Sequence, residues 1–238
     1  MFNDQRKYFL VHAPRQTGKT TCLKALSRYI NQQGRLRCLY VSAEYGQAAR
    51  QDMNKGIRSL LNEMAMSAST QLQDEFVAQH WQKIFDVAEA TNTLRNLLTK
   101  WCQHNSKPLV LLIDEIDALV GNTLIAVLRQ LRGGYCVRDM APFPQSVILC
   151  GMRHLRDYKM ELGEEGKHVL SEASPFNINS DSLRLGDFSQ EDIATLYGQH
   201  TQETAQQFAA GVCERVFGLT QGAALVGQCI GLRCLFSQ

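Results

Sequence analysis

Residues 13–20 read APRQTGKT, and they lie between a short apolar run (residues 8–13, YFLVHA) and a stretch with Leu23, Leu26 and Ile30 at helical spacing. The order strand, glycine-bearing loop, helix constrains the chain more than any other feature. The eight residues match the phosphate-loop pattern GxxxxGK[ST], with alanine in the first glycine position. The spacing follows from chemistry. Consecutive backbone N–H groups wrap an anion, Gly18 lets the backbone approach it, and the helix amino terminus contributes the positive end of a dipole. Lys19 is expected to reach the β- and γ-phosphates and the Thr20 hydroxyl to ligate magnesium. Ala13, Pro14, Arg15, Gln16, Thr17, Gly18, Lys19, Thr20 and Thr21 are therefore the expected nucleotide-binding residues. Alanine at position 13 carries no steric cost if its φ is negative. Arg15 and Gln16 sit where loop side chains usually face solvent.

A second signal lies about 95 residues further on. Residues 109–113, LVLLI, form the most strand-like run in the chain and end on Asp114 and Glu115. In open α/β sheets, ligands bind at the carboxyl ends of strands. Asp114 is placed to hold magnesium, and Glu115 to orient and deprotonate an attacking water. An isolated acidic pair would read as a helix amino terminus favouring negative charge. Together with the phosphate loop, the pair implies hydrolysis, and Asp117 reads as structural. A nucleotide kinase would not need a base beside the magnesium aspartate. Neither Asn54-Lys55-Gly56-Ile57 nor Thr99-Lys100-Trp101-Cys102 completes the [NT]KxD signature that reads guanine. ATP is the expected nucleotide.

The remaining pattern is βαβ throughout its first part. Residues 36–42 read as a second strand, and residues 48–100 as helical, with both tryptophans in the core. Residues 124–131 form a helix that Gly133 and Gly134 are expected to close. Residues 146–150 and 182–185 read as the fourth and fifth strands. Between them, residues 158–175 are polar and glycine-containing, an expected exposed excursion. From residue 188 the pattern is helical, with Ser189 as N-cap and Asp192 completing a capping box. The expected fold is an α/β three-layer sandwich of the P-loop NTPase kind, with a five-stranded, mainly parallel sheet over residues 1–187. A small helical lid follows over residues 188–238.

Composition narrows the setting. The 238 residues are 45% hydrophobic and 20% charged with net charge +2, typical of a folded chain and without a basic run that would mark nucleic acid. No stretch approaches the roughly 18 apolar residues of a membrane helix, and residues 1–7 lack a secretion signal, so the cytoplasm is the expected location. The eight cysteines include no CxxC pair and read as reduced thiols.

The stretches FLVHAPRQTGKTT from Phe9, LVLLIDEIDAL from Leu109, VLRQLR from Val127 and SPFNINSDSLRLGDF from Ser174 resemble the AAA+ and STAND-like P-loop ATPases, particularly bacterial AAA-like ATP-binding proteins. The resemblance runs over about residues 8–200. It implies ATP and Mg2+ as ligands, a sheet with the phosphate-loop strand inside the outer strands, and a carboxy-terminal lid. It also implies a polar γ-phosphate sensor after the fourth strand, for which Arg153 is the candidate and Arg156 the second choice. Relatives often complete the site with an arginine from a neighbouring subunit, a role open here to Arg129, Arg132 or Arg138. Residues 219–238 part from the family's usual final helix, so the lid is expected to be shortened. Three functions fit: an ATPase switching a partner or homo-oligomer, a nucleotide sensor with little turnover, or a DNA-associated ATPase.

Overall fold

A computed structural model describes residues 7–152 and 180–223. The described residues fall into two compact units, one drawn from Met1–His12 and Thr20–Leu183, the other from Ala13–Lys19 and Arg184–Gln238.

The first unit is built on a sheet. Strands β1 (Tyr8–His12), β2 (Arg37–Ser42), β3 (Leu109–Asp114), β4 (Ser146–Gly151) and β5 (Ser180–Arg184) stand in the order β2-β3-β4-β1-β5. β1 with β4, β2 with β3, and β3 with β4 pair in parallel. β1 is thus an interior strand, as the resemblance implied. In β1 to β4 the side chains alternate strictly between two cores, the period-2 geometry of strands covered on both faces. Leu10, Leu39, Val41, Leu111, Ile113, Val147 and Leu149 join one core, shared with helices α2 (Met53–Leu72), α3 (Phe76–His104) and α4 (Gly121–Cys136). Cys38, Val110, Leu112, Ile148 and Cys150 face the other way, against Leu23, Leu26 and Ile30 of α1 (Lys19–Gln33). Two apolar layers around one sheet make the three-layer sandwich expected from the sequence.

Residues 48–100 are largely helical, as expected, but in separate pieces. They comprise a short 3-10 helix (Glu44–Ala49), then α2 and α3 joined by a turn in which Gln73 is left-handed, with a kink inside α3 at Glu89 (φ 53, ψ 178). Gln130 of α4, only 3% exposed, compensates the kink: its Nε2 donates to the Ala90 carbonyl at 2.9 Å and its Oε1 accepts from the Arg95 N–H at 3.2 Å. One expectation is corrected: Gly133 and Gly134 do not end α4, which runs to Cys136. Gly134 is small because of packing: a Cβ there would lie 2.1 Å from the Phe143 ring.

The base of the sheet is held by one carboxylate. Asp74 Oδ2 accepts from Trp101 Nε1 at 2.8 Å, Asn105 Nδ2 at 3.2 Å and Arg37 at 2.7 Å, while Oδ1 accepts from the Phe76 N–H at 2.9 Å. Both tryptophans are buried, as expected.

In the second unit, α5 (Gln190–Thr204) and α6 (Val212–Thr220) pack through Ile193, Tyr197 and Val216. The expected capping box is present: Ser189 Oγ accepts from the Asp192 N–H at 3.1 Å, and Asp192 Oδ2 accepts from the Ser189 N–H at 2.9 Å. Among the described residues no helix is long and apolar enough to cross a membrane. The excursion expected over residues 158–175 and the divergent stretch after residue 223 lie outside the described residues.

Burial works against the ionised Asp74, but the donors from Trp101, Phe76 and Arg37 outweigh it and hold its pKa below the ordinary carboxylate value of 3.8. Its stabilisation is therefore present above the unfolded-state pKa and lost as pH falls through the lower, folded value. Asp74→Asn is expected to lower the unfolding free energy at pH 7 by about 1–3 kcal/mol, measured by urea denaturation. The acid limb of its stability profile below about pH 4 should be flatter than the parent's.

Candidate functional site

The loop between β1 and α1 begins at Ala13, which is 1% exposed and absent from the positive-φ residues, so alanine fits where the pattern has glycine. Gln16 and Gly18 have positive φ (64° and 83°), whereas Arg15 and Thr17 do not. Alternating handedness turns successive N–H groups into a concave row, the backbone form of an anion nest. Thr17 Oγ1 donates to the Pro14 carbonyl at 3.0 Å and braces the turn. Pro14, Arg15, Gln16 and Gly18 are exposed, Thr17 is half-buried, and Thr21 is exposed on α1.

Lys19, the first residue of α1, is only 6% exposed. Its ammonium donates to the carbonyls of Ala13 (2.9 Å) and Pro14 (2.6 Å). A buried cation must be satisfied by oxygen, and here the loop's own backbone supplies it.

Thr20, next in the helix, donates through Oγ1 to Asp114 Oδ2 at 2.6 Å. Asp114 ends β3 at 1% exposure, and its Oδ1 accepts from the Glu115 N–H at 2.9 Å. Residues 94 positions apart are thus brought into contact, as the two motifs required. A third donor was not foreseen: the Tyr40 hydroxyl, from β2, reaches Asp114 Oδ2 at 3.0 Å. Burial and the adjacent Asp114 push the Tyr40 pKa well above its usual value, so the phenol stays protonated and donates. No local motif marks Tyr40. Only the β2–β3 register, which sets Tyr40 opposite Leu112 and Ser42 opposite Asp114, places it one diagonal step from the acid.

The Thr20 hydroxyl and the buried Asp114 carboxylate, 2.6 Å apart, are hard oxygen donors of the kind that suit magnesium.

Glu115 is half-buried and left-handed (φ 52, ψ 42), a conformation that costs a non-glycine residue about 1–2 kcal/mol. It is held by the Ala118 N–H, which donates to the Glu115 carbonyl at 2.9 Å, and by its own N–H on Asp114. Such strain, observed directly, is common where a side chain must be aimed for function. Asp117 Oδ2 accepts from the Met152 N–H at 2.5 Å just beyond β4, a tie between distant segments rather than a helix cap. Gly151 is what allows that approach, because a Cβ there would lie 2.7 Å from Asp117 Oδ2.

Among the arginines, Arg129 is exposed on α4, and Arg138 lies over the Tyr135 ring at 3.9 Å. Arg132 is half-buried on α4. Arg153 and Arg156 lie outside the described residues. Among the described residues the six cysteines form no disulfide; Cys38 and Cys150 are buried and Cys22 and Cys136 exposed, while Cys229 and Cys234 lie outside the described residues.

The fold is similar to that of the Walker-type ATPase of Pyrococcus abyssi, with TM-score 0.59 and 15% identity over 92% of this chain. This chain spans 60% of that protein's length. Domain III of the replication initiation protein DnaA from Thermotoga maritima is similar with TM-score 0.51 and 15% identity, over 94% of this chain and 73% of that one. Cdc6p from Pyrobaculum aerophilum is similar with TM-score 0.50 and 14% identity, over 82% and 43%. No curated protein matches the sequence. The model of the AAA domain family matches residues 3–158, the span that contains the phosphate loop, Thr20, Tyr40 and the Asp114–Glu115 pair. The chain belongs to the AAA domain family of P-loop ATPases.

Proposed function

We propose that this protein binds ATP with magnesium and hydrolyses it to ADP and phosphate, and that the cycle switches a partner protein or a homo-oligomer between conformations. The observation that carries this reading is the 2.6 Å contact from Thr20 Oγ1 to the buried Asp114 carboxylate, which links the phosphate-loop helix to the acidic strand. A chain that only needed an acidic helix start would not bury that carboxylate against a P-loop threonine.

In this reading the loop amides of residues 13–20 take the phosphate oxygens, and Lys19 exchanges the carbonyls of Ala13 and Pro14 for the β- and γ-phosphates. Thr20 and Asp114 hold the cation. Magnesium, when bound, neutralises charge on the phosphate oxygens. Glu115 orients the attacking water and takes its proton as the water oxygen bonds the γ-phosphorus and the bond from that phosphorus to the departing ADP breaks. Arg153 is the proposed γ-phosphate sensor. Residues 1–187 form the ATPase core and residues 188–238 the helical lid, and the protein works in the cytoplasm.

Lys19→Ala is expected to abolish both nucleotide binding and phosphate release from Mg-ATP. Glu115→Gln should keep binding but lose on the order of 100-fold or more in turnover, because it removes the base alone. Phosphate release and fluorescent-nucleotide binding, run in parallel, check both. Binding without turnover in the parent would replace the hydrolase with a nucleotide-sensing module.

Arg129 is the exposed arginine of α4 and the best placed to serve a neighbouring subunit. Hydrolysis per chain is then expected to rise with protein concentration, and Arg129→Ala to remove that rise while leaving nucleotide binding intact. A flat dependence in the parent would count against a trans-acting arginine.

A further inference from the structure

β2 is an edge strand of the sheet, yet Tyr40 at its centre is held from three sides. On the open edge, the Gln71 side chain of α2 pairs with Tyr40 as a neighbouring strand would: its Oε1 accepts from the Tyr40 N–H at 3.1 Å and its Nε2 donates to the Tyr40 carbonyl at 2.8 Å. Over the ring lies the Lys24 ammonium of α1, 5.3 Å from the centroid. Ahead of the ring, the hydroxyl donates to Asp114 Oδ2, the oxygen that also accepts from Thr20.

The two donors differ in what they can do. A threonine that ligates a cation must turn a lone pair towards it, whereas Tyr40 belongs to a different strand and has its main chain fixed by α2. A carboxylate rotates about a broad, roughly two-fold torsion, so a donor with independent support limits its orientations. We propose that Tyr40 is a positioning residue for Asp114, holding Oδ2 in the orientation in which it and the Thr20 hydroxyl receive magnesium. The inference rests on the reading of Thr20 and Asp114 as the magnesium-holding pair. In this role Tyr40 acts through the aspartate, as outer-shell donors to metal-site carboxylates do.

The test compares the parent, Tyr40→Phe and Asp114→Asn by binding of a fluorescent ADP analogue, first in EDTA and then across a Mg2+ titration. Thermal unfolding by circular dichroism confirms that each chain is folded. The parent should gain affinity with Mg2+, and Asp114→Asn should lose most of that gain. Tyr40→Phe, which removes one oxygen atom, should match the parent in EDTA but need roughly tenfold more Mg2+ for half of the gain. A Tyr40→Phe titration that overlays the parent's while Asp114→Asn is shifted would overturn the inference and leave the magnesium pair standing. Equal weakening of Tyr40→Phe with and without Mg2+ would also overturn it, since the ring would then act through packing. A parent that does not respond to Mg2+ would remove the magnesium pair and this inference together.

Discussion

The Asp114 carboxylate is the point on which the site depends. At 1% exposure, an ionised group is tolerated only when donors replace the water it has lost. Three do so, and each comes from a different part of the chain: Thr20 from the helix after the phosphate loop, Tyr40 from the edge strand, and the Glu115 N–H from the next residue. Satisfying this one group fixes the position of α1 against β3, ties β2 to the same point, and sets the left-handed backbone at Glu115.

The sheet makes that convergence possible. Parallel strands put all their carboxyl ends on one side, so Ser42, Asp114 and Gly151 terminate β2, β3 and β4 together. Strict alternation then sends Tyr40, Leu112 and Asp114 to the α1 face, while Leu39, Val41 and Ile113 fill the opposite core. A one-residue slip of β2 would carry Tyr40 to the wrong face. Gln71, paired to the main chain of Tyr40, opposes such a slip.

Much of this was legible in the residues. The strand, loop and helix around APRQTGKT and the apolar run ending in Asp114 were readable because each is local: five or six apolar residues, a fixed glycine and lysine spacing, an acid at the end. The Ser189 and Asp192 capping box was readable for the same reason. What was not legible is set by tertiary contact. Gly133 and Gly134 read as a helix stop, but Gly134 answers to the Phe143 ring. The kink at Glu89 survives because Gln130, about 40 residues away, bonds the backbone it opens. Tyr40 was invisible as a site residue because its partner is defined by strand register and not by spacing in the chain.

The central claim, that the loop and the Thr20–Asp114 pair receive a magnesium nucleotide, is tested most directly by a crystal structure with Mg2+ and a non-hydrolysable ATP analogue. The account predicts that Lys19 Nζ leaves the carbonyls of Ala13 and Pro14 for phosphate oxygens, that Thr20 Oγ1 ligates the cation, and that Asp114 keeps its contact with Thr20. A nucleotide bound elsewhere, with Lys19 still on those two carbonyls, would contradict it.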